Sequence, residues 1–232
     1  MKTPIHHVLA LLISLLFFAC DGSNAVEEIN QITKEEIQKK KIQEIIPDQY
    51  LDSLRKLGLT INQGVDPVKV EGYFSFTPLI LEATNIPKDT YQPGFRFTDA
   101  KIRLYEQDDD LNIKMLGRMV LAIRDTSIAT AISGSGNNFT IYGKIKSDIN
   151  DKTANFAVIM SGVYDGNALK NIKYGIICIS NKNPEGANPF IKEGQGRLVF
   201  DSDLASERIT ESVFLALGNK QQQLQRHLGM AK

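Results

Sequence analysis

Apolar and polar residues alternate along much of the chain, and this alternation constrains the fold more than any other feature of the sequence. It extends over Val68–Phe200 and is clearest in Asn138–Lys146, where Phe139, Ile141 and Ile145 alternate with polar residues. A period of two places these side chains on opposite faces of a β-strand. Such a strand is buried on one face and solvated on the other. The pattern therefore predicts an all-β, mainly antiparallel domain.

Turn-forming residues divide this region into eight or nine predicted strands. The separators of six successive strands are too short to hold a crossover helix, so neighbouring strands are expected to pair as hairpins. An up-and-down meander of this size either closes into a barrel or folds into two sheets, and the consecutive hairpins favour the barrel. The predicted strands are Val70–Phe76, Leu79–Thr84, Lys101–Glu106, Ile113–Arg124, Ser127–Ile132, Asn138–Lys146, Asn155–Tyr164, Ile172–Ser180 and Arg197–Phe200.

Two helices are predicted to flank the strands. Pro47–Gly58 begins with a proline, has apolar residues at helical spacing and ends with a glycine, which is typical of a short amphipathic helix. After the last strand, Ser202 or Asp203 can cap a second helix that ends at Gly218. We expect this helix to pack on the outside or on one end of the sheet. Its apolar face comprises Ile209, Val213, Phe214 and Leu217.

The N-terminus has the organisation of an export signal. Lys2 precedes the apolar run Val8–Ala19, and Ala19 places a small residue directly before Cys20. The run is too short for a permanent span, which needs about 20 apolar residues. Because a cysteine stands at the cleavage site, the segment resembles a bacterial lipoprotein signal. The resemblance implies that Cys20 becomes the mature N-terminus and carries a lipid; the alternative is an ordinary signal peptide with a chance cysteine.

The chain is therefore expected to have four parts. Residues 1–19 are the predicted lipoprotein signal peptide, and residues 20–46 form a charged, partly helical tether on the lipid anchor. Residues 47–218 form the β-barrel domain with its flanking helices, and residues 219–232 form a polar C-terminal tail. This organisation predicts a protein of the cell envelope, attached to a bacterial membrane, and specifically the outer membrane.

Composition excludes several functions. The chain has 27 basic and 27 acidic residues, so no excess of positive charge supports binding to nucleic acid. Of the two cysteines, lipidation would consume Cys20. Cys178 lies in an apolar run and is interpreted as a small buried hydrophobe rather than a nucleophile.

Few residues suit catalysis, and the sequence predicts a protein that is not an enzyme. His6 and His7 lie in the predicted signal, and the third histidine, His227, lies in the polar tail, so neither a Ser-His-Asp triad nor a multi-histidine zinc site is expected. The sequence contains no cofactor motif. Glu71 and Glu82 are conceivable partners for glycoside hydrolysis, although acids on strands usually face solvent.

Three loops bear a partial likeness to ligand motifs. Asp108–Asn112 opens like a calcium loop, but Ile113 replaces the glycine of the turn and Met119 replaces the bidentate glutamate, so an acidic turn is the favoured interpretation. The same holds for Asp148–Asp151. Ser133–Asn138 is rich in glycine but joins two strands and lacks the helix and lysine of a phosphate-binding loop, which favours a structural turn.

The sequence offers limited support for carbohydrate binding. Exposed aromatic platforms usually bind sugar faces, and this chain has no tryptophan. Five tyrosines could serve, although tyrosine on a strand more often packs in the structure. These are Tyr73, Tyr91, Tyr105, Tyr142 and Tyr164.

A barrel of about eight strands can enclose one small ligand or fill with side chains. The first hypothesis is that apolar residues on the inner faces line a site for a small apolar ligand. The competing interpretation is that the same residues form a solid core, and that the protein is an interaction or accessory module of a cell-surface assembly. The candidate lining residues are Met115, Met119, Leu121, Phe139, Ile141, Phe156, Val158 and Met160.

Two resemblances to known families follow from these features. The signal, the charged tether and the motifs Gly72-Tyr73-Phe74, Asn85-Ile86-Pro87 and Tyr91-Gln92-Pro93-Gly94 resemble uncharacterised envelope lipoproteins of Bacteroidetes. A meander followed by a C-terminal helix resembles the calycin architecture, which includes lipocalins. Lipocalins begin their first strand with Gly-x-Trp, and here Phe74 stands at the tryptophan position. These resemblances imply a lipid-anchored, calycin-like barrel and assign no catalytic residue.

Overall fold

The computed structural model describes residues 22–118, 125–149, 151–184 and 188–216. The chain divides into two compact units, with the division between Ile37 and Gln38. In the first unit, the described side chains from Val26 onward are exposed and include four large aliphatic ones, Val26, Ile29, Ile32 and Ile37. The second unit contains all of the strands. The division falls inside the segment that the sequence assigns to the tether.

Three helices lie at the two ends of the described chain. Helix α1 is Gly22–Ile45, α2 is Asp48–Lys56 and α3 is Glu211–Leu215. The predicted amphipathic helix after Pro47 is confirmed, since α2 buries Tyr50, Leu51 and Leu54 on one face. No helix in these described ranges is both long enough and apolar enough to span a bilayer.

Within the described ranges the strands form one sheet of eleven members. The sequence predicts eight or nine, and it misses the two shortest, β1 and β11. In chain order they are β1 Val65–Pro67, β2 Gly72–Phe76, β3 Leu79–Thr84, β4 Ala100–Tyr105, β5 Lys114–Arg118, β6 Asp125–Gly136, β7 Asn138–Ile149, β8 Lys152–Tyr164, β9 Leu169–Ser180, β10 Gly196–Asp201 and β11 Ala205–Ser206.

The predicted antiparallel meander is confirmed for six strands. Strands β4 to β9 follow one another in space as they do in the chain, each antiparallel to the next. Short turns join several of them, as between β6 and β7, where Ser135 pairs with Asn138 across a two-residue loop. Strand order is therefore set by hairpins in this part of the sheet.

The first strands depart from the meander. Strand β2 pairs with β4, whereas β3 pairs with β10 at the other end of the path. The path of paired strands thus has two ends, β2 and β3, in the described part of the chain. Strand β1 lies parallel to β6, where Gly64 and Gly134 approach so closely that a Cβ on Gly64 would stand 2.6 Å from the Gly134 carbonyl oxygen.

One face of the sheet encloses the larger hydrophobic core. Strands β2 to β10 contribute inward side chains that are almost completely buried, and residues of the connecting segments join them. Alternate residues of β4 show the pattern, since Ile102 and Leu104 are buried while Lys101, Arg103 and Tyr105 are half-buried on the opposite face. The period-two prediction is therefore confirmed for this strand.

A second core lies on the opposite face of β6 to β10. There the end of α1 and the apolar face of α2 pack on Tyr142, Ala157 and Ile159 of the sheet. Gly175 in β9 permits this contact, because a Cβ at this position would lie 3.1 Å from both terminal carbons of Leu54. Strands β8 and β9 are consequently buried on both faces along much of their length.

The predicted C-terminal helix is wrong in its start and length. Neither Ser202 nor Asp203 caps a helix; the cap is Thr210, whose side chain accepts from the Val213 amide, and α3 has five residues. The chain before it is extended, since β11 pairs with β9 and Ile209 donates its amide to Tyr73 of β2. Of the predicted apolar face, Phe214 is buried and Val213 is exposed. Leu217 and Gly218 lie outside the described residues.

Candidate functional site

The structure brings six of the eight predicted lining residues into one apolar wall. Met115 is on β5, Phe139 and Ile141 are on β7, and Phe156, Val158 and Met160 are on β8. All six belong to the larger core and are almost completely buried. Neighbouring strands align them, as Ile141 pairs with Met160 across β7 and β8. Met119 and Leu121 lie outside the described residues.

Sequence reasoning missed residues from connecting segments that complete this wall. Phe190 stands edge-on to Phe156, with ring centroids 5.9 Å apart, and Ile191 is buried beside it. The segment between β3 and β4 adds Tyr91, Phe95 and Phe97, whose ring centroids lie 4.6 to 5.3 Å apart. The density of aromatic residues in Tyr91–Phe97 is the one sequence signal that could have indicated them.

A buried ion pair fixes this aromatic segment to β10. Arg197 donates from Nε and Nη2 to the two carboxylate oxygens of Asp89, at 2.8 and 2.7 Å, and its guanidinium lies 4.9 Å from the Tyr91 ring. Burial alone would raise the pKa of Asp89, but the hydrogen bonds from Arg197, Thr84 and the Tyr91 amide outweigh it and lower that pKa. The pair is charged and hydrogen-bonded, as a buried pair must be.

Cys178 is a buried free thiol in the larger core. Burial raises its pKa to about 12, so the sulfur stays protonated at neutral pH. A protonated, inaccessible thiol is a poor nucleophile, and the interpretation of Cys178 as a small hydrophobe is confirmed.

Asp201 is, after Asp89, a second buried acid that the sequence did not single out. Its carboxylate accepts hydrogen bonds from the Ser206 hydroxyl at 2.6 Å and from the Thr77 amide at 3.2 Å. Burial raises its pKa to about 6, and the neighbouring Asp203 carboxylate contributes. Asp201 therefore joins the link between β2 and β3 to β11, and its charge changes in mildly acidic solution.

A group of hydroxyls lies on the other face of β6 to β8. Asn62 donates from its side chain to the Phe139 carbonyl and to Ser161, while its own carbonyl accepts from Ser133. Among the described residues, the hydroxyls of Ser133, Thr140 and Ser161 bond only to hydroxyl, amide and carbonyl groups. A serine nucleophile needs an adjacent general base. This group therefore fastens the segment before β1 to the sheet.

The acidic turn after β4 is held by an amine. Lys41 donates from Nζ to the Asp110 carbonyl at 3.0 Å and also contacts the Asn112 side-chain oxygen. Asp108 accepts from the Asn112 amide and side chain. An ammonium group thus contacts the Asn112 side-chain oxygen, which is one of the oxygens that a calcium ion would need in this loop. The described residues contain no group of three His, Cys, Asp or Glu side chains arranged to hold a metal ion.

The other partial motifs have structural partners. Asp148 accepts from the Thr153 hydroxyl at 2.5 Å and pairs with Lys146. Ser133–Asn138 is the β6–β7 hairpin, which confirms the structural turn.

The two glutamates considered for glycoside hydrolysis lie in different settings. Glu71 is exposed before β2 and accepts from the Gln107 amide at 2.7 Å. Glu82 on β3 pairs with Lys173 at 2.5 Å, and its second carboxylate oxygen is buried without a partner. Glu71 precedes β2 and Glu82 lies on β3, and these two strands are the opposite ends of the paired path.

The five tyrosines do not form one platform. Tyr91, Tyr142 and Tyr164 are buried. Tyr73 and Tyr105 are half-buried on the outer face of β2 and β4, where the Arg103 guanidinium lies 5.3 and 4.4 Å from their ring centroids. Their aromatic faces therefore contact an arginine.

The predicted signal, the lipidation site Cys20 and His6, His7 and His227 lie outside the described residues. No protein-family model, curated protein or solved structure matches this chain.

Proposed function

We propose that this chain is a non-enzymatic envelope lipoprotein, anchored to the outer membrane through lipid on Cys20, whose sheet closes as a calycin-like barrel around a small apolar ligand. The apolar wall carries the proposal, because six aligned and buried residues from β5, β7 and β8 present no charged group to the interior. Such a wall suits an apolar ligand, since burying apolar surface supplies about 25 cal/mol per Å².

Hydrogen bonds at the ends of the strand path support the proposed closure. Strand β11 pairs with β9, and the residues that follow it bond to β2: Ser75 donates its amide to Glu207, and Ile209 donates to Tyr73. The segment after β10 is thereby hydrogen-bonded both to β9 and to β2, which ends the strand path. A closed sheet leaves no free edge for pairing with other chains.

Mass spectrometry of the natively purified protein tests the ligand. A retained small apolar molecule is expected in the wild type and should be lost in Val158→Phe, which fills the interior side of β8. Ile159→Phe is the matched control, because this neighbour faces the second core and costs a similar ~1–3 kcal/mol of overpacking. Absence of any retained molecule, or equal loss in both variants, would contradict the ligand.

Mass measurement of the mature N-terminus tests the anchor. We expect acyl chains on Cys20 and release of the Cys20→Ser chain from the membrane fraction. Cys178→Ser is the control, because Cys178 is buried and should leave attachment unchanged. An unmodified Cys20 in the membrane-bound protein would overturn the anchoring.

The second candidate function is an interaction module with a solid interior. The near-complete burial of the wall residues against one another and against Phe190 favours it. In that case the native protein carries no small molecule, and its partners bind the exterior.

A further inference from the structure

The outer face of β2, β4 and β5 carries a cluster of basic and aromatic side chains. We name it the basic face; its members are Tyr73, Lys101, Arg103, Tyr105, Lys114, Leu116 and Arg118. The register places them side by side, since Lys101 lies opposite Arg118, Arg103 opposite Leu116 and Tyr105 opposite Lys114. Along β4, from Lys101 to Tyr105, the face is about 14 Å long at about 3.4 Å per residue. It is therefore a surface rather than a cavity.

Most of the positive charge on the basic face has no acidic partner. Lys114 pairs with Glu106. Among the described residues, no carboxylate forms an ion pair with Lys101, Arg103 or Arg118. Glu211 borders the face, where its carboxylate interacts with the Tyr73 hydroxyl. Within the described residues the Arg103 guanidinium lies over the rings of Tyr73 and Tyr105 and forms no ion pair, so its N–H donors face no carboxylate there.

The cross-strand pairing makes this arrangement costly for the chain by itself. Lys101 and Arg118 are directly opposite on antiparallel strands. Like charges in that position destabilise a sheet. An anionic partner on this face would attract both cations and so offset their mutual repulsion. The charge distribution thus favours a negatively charged surface as the occupant.

Exposed aliphatic side chains stand beside these cations. Lys101 donates from Nζ to the carbonyls of Val213 and Ala216, at 2.6 and 2.9 Å, and so fixes α3 at the edge of the basic face. Phe214 turns inward against Tyr73, whereas Val213 and Leu215 are 46% and 53% exposed. A soluble anion makes no favourable contact with aliphatic groups. A bilayer surface accepts both, because cations meet its phosphates and short apolar residues enter its boundary.

We infer that the basic face and the exposed residues of α3 form a second membrane contact that docks on an anionic bilayer surface. Lys101, Arg103 and Arg118 would bind lipid phosphates, and Val213 and Leu215 would enter the boundary between headgroups and acyl chains. The inference rests on the proposed anchoring, which brings the chain to a bilayer. It adds that the β domain itself lies against the membrane.

A tryptophan at position 215 makes the contact visible. The native chain has no tryptophan, so Leu215→Trp in the full lipidated protein gives a single fluorescent reporter. The protein is reconstituted in vesicles of phosphatidylcholine alone and in vesicles that also contain phosphatidylglycerol. We expect a blue shift, and quenching by brominated lipid, in the anionic vesicles only. Both should decline at high salt, because salt screens exposed charges.

Charge removal supplies the matched comparison. Arg103→Gln in the reporter protein should reduce the docked-to-undocked ratio about five-fold, as expected for one basic group near an anionic surface. Lys182→Gln removes an exposed lysine of the β9–β10 connection and should leave the ratio unchanged. The salt series needs no substitution besides the reporter, so it still decides the matter if Arg103→Gln does not fold.

Several outcomes would overturn the second contact. These are equal shifts in neutral and anionic vesicles, no shift in either, equal losses in the two glutamine variants, or a shift with an RNA oligonucleotide and none with vesicles. Failure of the anchor is a separate result, seen as unmodified Cys20 in the mass spectrum. Anionic vesicles added to the unlipidated chain would then test the basic face alone.

Discussion

Two regions of the same sheet are built in opposite ways. In β8 and β9 both faces are covered, one by the larger core and the other by α2 and its neighbours. In β4 and β5 one face is buried, and the other carries lysine, arginine and tyrosine. The sequence shows this difference, since strands buried on two faces form continuous apolar runs whereas strands exposed on one face alternate. The region covered on two faces therefore contributes more buried apolar surface to stability than the region with one solvated face.

Two arginines show the same contrast, and the largest loss of stability is expected at the buried one. Arg197 is buried on Asp89, whereas Arg103 is half-buried between two rings. Asp89→Asn removes the carboxylate charge that faces a buried guanidinium and should lower the free energy of unfolding by about 3–5 kcal/mol. Urea denaturation measures it. Asp148→Asn, at an exposed pair, should cost less than about 1 kcal/mol, and equal costs would contradict the distinction.

Removing the cover from β9 should have the next largest effect. Leu54→Ala deletes a fully buried side chain of α2 and should cost about 2–5 kcal/mol in urea denaturation. Leu57, at the end of the same helix, is half-buried, and Leu57→Ala should cost less. If the two costs were equal, α2 would not depend on its contact with the sheet.

The free energy of unfolding should depend on pH through Asp201, which joins the β2–β3 link to β11. The pKa of Asp201 is raised from 3.8 to about 6, so the folded state binds this proton more tightly than the unfolded state does. Protonated Asp201 therefore stabilises the folded state fully below about pH 4, and this stabilisation is lost as the pH rises through about 6. The total change in the free energy of unfolding is at most about 3 kcal/mol. Asp201→Asn should flatten this part of the stability profile. An unchanged profile in the variant would assign the dependence to another group.

The smallest effect is expected on the basic face. Tyr105→Leu removes the ring 4.4 Å from Arg103 and should cost about 0.5–1 kcal/mol, the value of an exposed cation–π contact. Urea denaturation of the purified variant measures it. A cost as large as that of Leu54→Ala would mean that the outer face of β4 contributes to folding as much as the covered region does.

The sequence predicts those elements whose pattern is local. Alternation located β4 and β7, and the proline and glycine at its two ends located α2. The sequence could not indicate the partners of β2 and β3, because these strands pair with β4 and β10, which lie farther along the chain. Strand β1 is three residues long and includes a proline, and it pairs with β6 in parallel, so no periodicity marks it.

The same limit explains the wrong C-terminal helix. The Asp203 carboxylate accepts a hydrogen bond from the Ala205 amide, and the Ser206 hydroxyl donates to Asp201. Strand pairing with β9 and β2 then holds the following residues extended, so tertiary contacts override a helical pattern. For the candidate site, the inward residues of β7 and β8 followed from alternation. Phe190 did not, because nothing local indicates which core a connecting segment enters.

Because α2 lies close to β9, the size of the side chain at position 54 limits the size of the side chain at position 175. A Cβ at position 175 would lie 3.1 Å from both terminal methyl groups of Leu54, so the leucine would have to move by a few tenths of an ångström. A larger residue at 175 is therefore accommodated best by a shorter one at 54. Among chains that keep this helix on this sheet, we expect the two positions to change together or not at all.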